Sequence, residues 1–112
     1  MAYDTELADR IRELVATERT IIEKAMFGGL AFLVNGNMSV AASGRGGLLV
    51  RVDPGESDSL IGDRVEPMVM GGREMTGWLH VATAAVESDE DLAAWVRRGV
   101  GYAKSLPPKK GR

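Results

Sequence analysis

Apolar residues recur at Leu7, Ile11, Leu14 and Val15 with charged residues between them, the spacing of one buried helical face. Asp4 supplies an N-cap oxygen and Tyr3 precedes it as a packing residue, so a helix is predicted over about residues 5–16. The pattern then changes. Thr20, Ile21 and Ile22 are β-branched and open a run that ends at Met26-Phe27, which predicts a strand. Asn35-Gly36, set between two apolar runs, is the strongest local signal, because a type I′ turn needs positive φ at both central residues and Asn-Gly tolerates this best. The hairpin register then pairs Val34 with Asn37, Leu33 with Met38, Phe32 with Ser39 and Ala31 with Val40. Ala31, Leu33, Met38 and Val40 share an all-apolar face, expected to meet the helices, while Phe32, Val34, Asn37 and Ser39 share the mixed one.

Ser43-Gly44-Arg45-Gly46-Gly47 reads as a turn and Leu48 to Val52 as the next strand, interrupted by Arg51. Asp53-Pro54 gives an N-cap followed by proline at the first helical position, and Glu56 completes a box-like cap, so a short helix runs to about Ile61 before Gly62. Val65 to Met70 and Glu74 to Ala84 form a second hairpin around Gly71-Gly72, with Pro67 confining the first of them to an edge or a strand end. Ser88 and Asp91 make a capping box for a last helix whose stripe is Leu92, Trp95, Val96, Val100, Ala103 and Leu106, stopped by Pro107-Pro108. The expectation is an α+β fold: an antiparallel sheet of five to six strands with N-terminal and C-terminal helices packed on it, plus one short helix. Residues 1–112 are expected to form a single domain with a flexible basic tail at 107–112.

Composition narrows the class without changing this outline. With 45% hydrophobic and 27% charged residues the chain is ordinary for a globular protein. Its apolar runs fall far short of the ~20 residues that cross a bilayer. The acidic N-terminus followed by a polar helix pattern excludes a signal peptide, so a cytoplasmic location is expected. The absence of cysteine removes disulfides, thiolate zinc sites and cysteine nucleophiles together. Net charge is -2, yet all 16 acidic residues lie before Leu92, whereas Arg97, Arg98, Lys104, Lys109, Lys110 and Arg112 make the last helix and tail basic. Cations near a helix C-terminus complement its dipole and a solvated tail needs no ligand, so only weak or no direct nucleic-acid binding is expected.

Met26-Phe27-Gly28-Gly29-Leu30-Ala31-Phe32 and Asn35-Gly36-Asn37-Met38, together with Leu49-Val50-Arg51-Val52, Gly72-Arg73-Glu74-Met75-Thr76-Gly77-Trp78, and Asp91-Leu92-Ala93-Ala94-Trp95-Val96 leading to Ser105-Leu106-Pro107, resemble the N-terminal domain of the TfoX/Sxy family of bacterial competence regulators. The likeness runs over nearly the whole chain. It implies a stand-alone α+β domain whose better-studied relatives help activate transcription of DNA-uptake genes through a partner transcription factor. Those relatives carry a second, C-terminal domain, and the family supplies no catalytic residues to carry over. Met26, Phe27, Gly28, Gly29, Gly77 and Trp78 are the interaction or motif candidates. A glycine pair after a strand permits positive φ or close backbone approach, and Met26 and Phe27 offer adaptable apolar surface.

Candidate chemistry is thin. His80 is the only histidine, in a strand pattern on the face of Trp78 and Ala82. A triad needs a matching serine and an orienting carboxylate, and a catalytic zinc needs further histidine or cysteine ligands; neither is visible. Asp89-Glu90-Asp91 fits the dipole of a first helical turn better than a cation site. Gly44-Arg45-Gly46-Gly47 lacks the Lys-Ser/Thr of a phosphate loop, and no dinucleotide fingerprint follows a strand. No catalytic residue, metal or cofactor is therefore assigned. The first reading is a non-enzymatic regulatory module with a protein partner, and the alternative is a small enzyme or ligand-binding domain acting on nucleic acid or a small molecule. A pocket gathering His80, Arg51 and carboxylates would favour the alternative. Because both hairpin faces carry apolar residues, one-layer packing would leave either Phe32 and Val34 or Leu33 and Met38 exposed, and a homodimer burying one sheet face or edge is also expected.

Overall fold

The computed structural model describes residues 3–18, 21–26 and 28–108. The elements run α1 (Thr5–Leu14), β1 (Ile21–Met26), β2 (Gly29–Val34), β3 (Asn37–Ala42), β4 (Leu48–Arg51), α2 (Pro54–Leu60), β5 (Val65–Met70), β6 (Arg73–Val81), a 3-10 turn (Thr83–Val86) and α3 (Asp89–Ser105). The six strands form one antiparallel sheet in the order β1-β2-β3-β4-β6-β5. This is the α+β fold expected, with both terminal helices packed on the sheet. Thr20, Phe27 and residues 109–112 of the expected tail lie outside the described residues. No helix among the described residues is long and apolar enough to cross a membrane.

The local signals work as their chemistry requires. Asp4 accepts from the backbone N–H groups of Glu6 and Leu7, Asp53 from that of Gly55, and Ser88 from that of Asp91, capping α1, α2 and α3 in turn. Asn35 and Gly36 both take positive φ, 52° and 84°. The second hairpin ends earlier than its apolar run suggests. Thr83–Val86 winds into a 3-10 turn that carries Val86 into the core, 1% exposed.

The hairpin register holds for two pairs and then shifts. Val34 faces Asn37 and Leu33 faces Met38, but Phe32 faces Val40 and Ala31 faces Ala41, because a bulge inserts Ser39. The Ser39 hydroxyl donates to the Phe32 carbonyl at 2.8 Å. Gly99 of α3 lies so close above that a Cβ there would come within 2.6 Å of the Ser39 carbonyl oxygen. The extra residue reverses alternation along β3, as a bulge must. Val40 therefore joins Phe32 and Val34 rather than Met38; it meets the helices as expected, whereas Ala31, Leu33 and Met38, expected beside it, face away because the helices cover the Phe32 and Val34 side of β2.

Phe32, Val34, Val40, Leu48, Val50, Leu79 and Val81 meet Leu7, Ile11, Leu92, Val96 and Ala103 in the main core. The opposite face holds a second apolar cluster of Ala31, Leu33, Met38, Ala41, Leu49 and Met68, with Met26 and Trp78 packed against it. Side chains from both edge strands thus contribute to one cluster. A second bulge, at Pro67/Met68 in the β5-β6 ladder, adds to the twist that curls the sheet over this face. Phe32 and Val34 are both fully buried by the chain's own helices, so they are not a surface that a second copy would cover.

Candidate functional site

The candidate residues occupy two neighbouring parts of the curled face. At one corner, Gly28 and Gly29 turn β1 into β2 against the loop between β3 and β4. A Cβ on Gly29 would collide with the Ala42 carbonyl oxygen and one on Gly44 with the Gly28 carbonyl oxygen. Only glycine allows these two backbones to touch. The same loop is closed by hydrogen bonds from Ser43 N–H to the Gly47 carbonyl and from Gly46 N–H to the Ser43 carbonyl, 3.0 and 3.1 Å. The Ser43 hydroxyl accepts from Arg45 N–H at 3.1 Å.

His80 braces this corner. It stands on β6 opposite Glu66 of β5 and Leu49 of β4, and its Nε2 lies 2.7 Å from the Gly46 carbonyl oxygen. A carbonyl only accepts, so Nε2 carries the proton. Nδ1 is then directed toward the Glu66 carboxylate, 3.7 Å away. Beside the ring is a cavity of about 320 Å³ bordered by Arg45, Leu49, Glu66, Met68 and His80. It combines an apolar floor with one cation, one carboxylate and one imidazole. Arg51, expected to complete such a pocket, does not line it.

The corner has limited means for chemistry. A serine nucleophile needs a histidine nitrogen free to take its proton. Here Nε2 is committed to a backbone carbonyl, and Nδ1 faces a carboxylate. No group of three or more His, Cys, Asp or Glu able to hold a metal occurs among the described residues. What the arrangement can do is fix the loop and present Arg45 and Glu66, both exposed, at the mouth of the cavity.

The remaining candidates lie around the second cluster. Met26, on the edge strand β1, and Trp78, on β6 next to the other edge strand, pack against it from well-separated parts of the sheet. Gly77 takes φ +86° where β6 is irregular, and its carbonyl accepts from Val52 N–H at 2.7 Å. That kink sets Trp78 directly opposite Arg51. The structure therefore brings Met26 and Trp78 to one apolar cluster, and places Gly28 and Gly29 at the corner beside it. Phe27 lies outside the described residues. The sequence reading did not foresee Arg45 and Glu66 at the His80 cavity, nor Arg51 and Tyr102 beside Trp78; cross-strand position relative to His80 and Trp78 was the only signal for Glu66 and Arg51.

Electrostatics sharpen one contact at the rim. Arg12 of α1 donates to Glu23 of β1 from Nε at 2.6 Å and Nη2 at 2.8 Å. This bidentate hydrogen bonding holds the Glu23 carboxyl below the usual glutamate range.

A search of curated proteins finds no match to the chain. The TfoX N-terminal domain family matches residues 13–103, from the end of α1 through nearly all of α3. That span includes the glycine corner, the bulged hairpin and both clusters, and the chain belongs to the TfoX N-terminal domain family.

Proposed function

We propose that this protein is a non-enzymatic regulatory module that acts by binding a protein partner, in the manner of the N-terminal domain of competence and transcription regulators. The observation that carries this reading is how the reactive and the adhesive side chains are used. His80, the chain's one histidine, holds a loop carbonyl. Trp78, Trp95 and Tyr102 instead remain half-buried at the surface with Arg51 and Arg98. Family membership supports the regulatory part of the proposal. The protein works in the cytoplasm and contacts duplex DNA weakly and without sequence preference, because its acidic residues precede Leu92 and a polyanion gains little from such a body.

The cavity beside His80 favours a second reading, a small-ligand domain, since its size reaches the lower range of ligand pockets. Transcript profiling of a deletion strain separates the two. Under the regulatory reading a limited gene set changes, and complementation by His80→Gln restores it as wild type does. A set restored by wild type and not by a folded His80→Gln protein would favour the ligand or enzyme reading.

A further inference from the structure

Cations among the described residues fall into two groups with one exception. Arg10, Arg12, Arg98 and Lys104 each reach a carboxylate. Lys24, Arg45, Arg64, Arg73 and Arg97 stand exposed in water. Arg51 does neither. It is half-buried, and among the described residues no carboxylate lies within ion-pair reach of it.

Aromatic rings surround it instead. The guanidinium carbon is 5.0 Å from the centre of the Trp78 ring and 5.8 Å from that of Tyr102. Tyr102 lies one turn beyond Arg98, whose guanidinium is 5.8 Å from the Trp95 ring and whose Nη1 is 3.2 Å from Glu56. Trp95, Arg98 and Tyr102 are spaced three and four residues apart, so they form one stripe of α3 that continues onto Arg51 and Trp78. Both tryptophans of the chain are in it.

Ring faces stabilise the positive charge of a guanidinium but accept none of its five N–H groups in their plane. Packing against two rings also restricts the side chain, which removes rotamer freedom before any ligand arrives. A planar, oriented and unpaired fork is matched by a carboxylate, which accepts two parallel hydrogen bonds. Trp, Tyr and Arg are also the residues that dominate binding energy where proteins meet.

We infer that Arg51, Trp78 and Tyr102 form the anchor for one carboxylate on the protein partner, a glutamate or aspartate side chain whose apolar neighbours lie along Tyr102 and Trp95. This rests on the interaction reading proposed above. A protein carboxylate fits better than nucleic-acid phosphates. Asp53, Glu56 and Asp58 on and before α2 follow Arg51 closely in the chain and repel an extended polyanion, while a single carboxylate needs only the local fork.

The test uses the full chain and an end-blocked peptide with one glutamate between leucines, its glutamine counterpart, and a short DNA duplex, with tryptophan fluorescence as the readout. The glutamate peptide should bind roughly tenfold or more tightly than the glutamine peptide. Arg51→Lys, which keeps the charge and loses the fork, should remove that preference, and Arg73→Gln should keep it. Circular dichroism checks that both variants fold. Equal binding of the two peptides, absence of binding, or a preference that survives Arg51→Lys would overturn the anchor. Arg51-dependent binding of the duplex, tighter than that of the peptide, would overturn it in favour of phosphate. Complementation by wild type and His80→Gln tests the interaction reading separately, so loss of the anchor with intact complementation removes only the anchor.

Discussion

Phe32 and Leu33 are neighbours on β2, and both are buried, yet different parts of the molecule cover them. Phe32 is sealed under α1 and α3 among aliphatic side chains that are almost fully enclosed. Leu33 lies on the other face, where the sheet curls over its own alanines and methionines and, among the described residues, no helix contributes to the cluster. The first arrangement is a packed layer interface; the second is a closure made by bulges and adaptable side chains. The difference separates the work of the two faces. The helix side holds the fold together, and the curled side carries the irregularities around which His80, Glu66 and Trp78 are grouped.

The largest expected effect is therefore on the helix side. Phe32→Ala should cost about 3–5 kcal/mol in chemical denaturation, because it opens a cavity between rigid layers. Leu33→Ala should cost less, about 2 kcal/mol, since Met38 and Met68 can move into the space. Equal losses would break the distinction between a rigid and an adaptable face. The smallest effect belongs to Glu23→Gln, which removes the exposed link between β1 and α1 and should cost well below either core change, less still in high salt. Its pH dependence has a definite sign. The folded-state carboxyl is held below its ordinary value, so the link stabilises above that value and the contribution is lost as pH falls through the lowered one. The difference between wild type and Glu23→Gln should shrink on acidification, and a difference that grew would contradict the ion pair.

Much of the outline was legible because its signals are local. Asp4, Asp53 and Ser88 cap helices whichever sheet they pack on, and Asn35-Gly36 turns the chain wherever the hairpin ends. The bulge at Ser39 was not legible, since it depends on the approach of Gly99 from a helix sixty residues away in sequence. It moves Val40 from the face of Met38 to that of Phe32, while the choice of which hairpin face the helices cover is made by tertiary packing. The candidate site divides in the same way. Met26, Gly28, Gly29, Gly77 and Trp78 stood out as a family pattern, but Arg45 reaches the His80 cavity, and Tyr102 reaches Arg51, only through tertiary packing.

The claim that adhesion is centred on Arg51 and Trp78, with the His80 corner serving as a brace, is tested most directly by nuclear magnetic resonance during titration with the glutamate peptide. The indole N–H of Trp78 and the side-chain N–H signals of Arg51 are expected to move, with the ring signals of His80 unchanged. Shifts centred on His80, Glu66 and Arg45, with Trp78 undisturbed, would place the ligand in the corner cavity and contradict it.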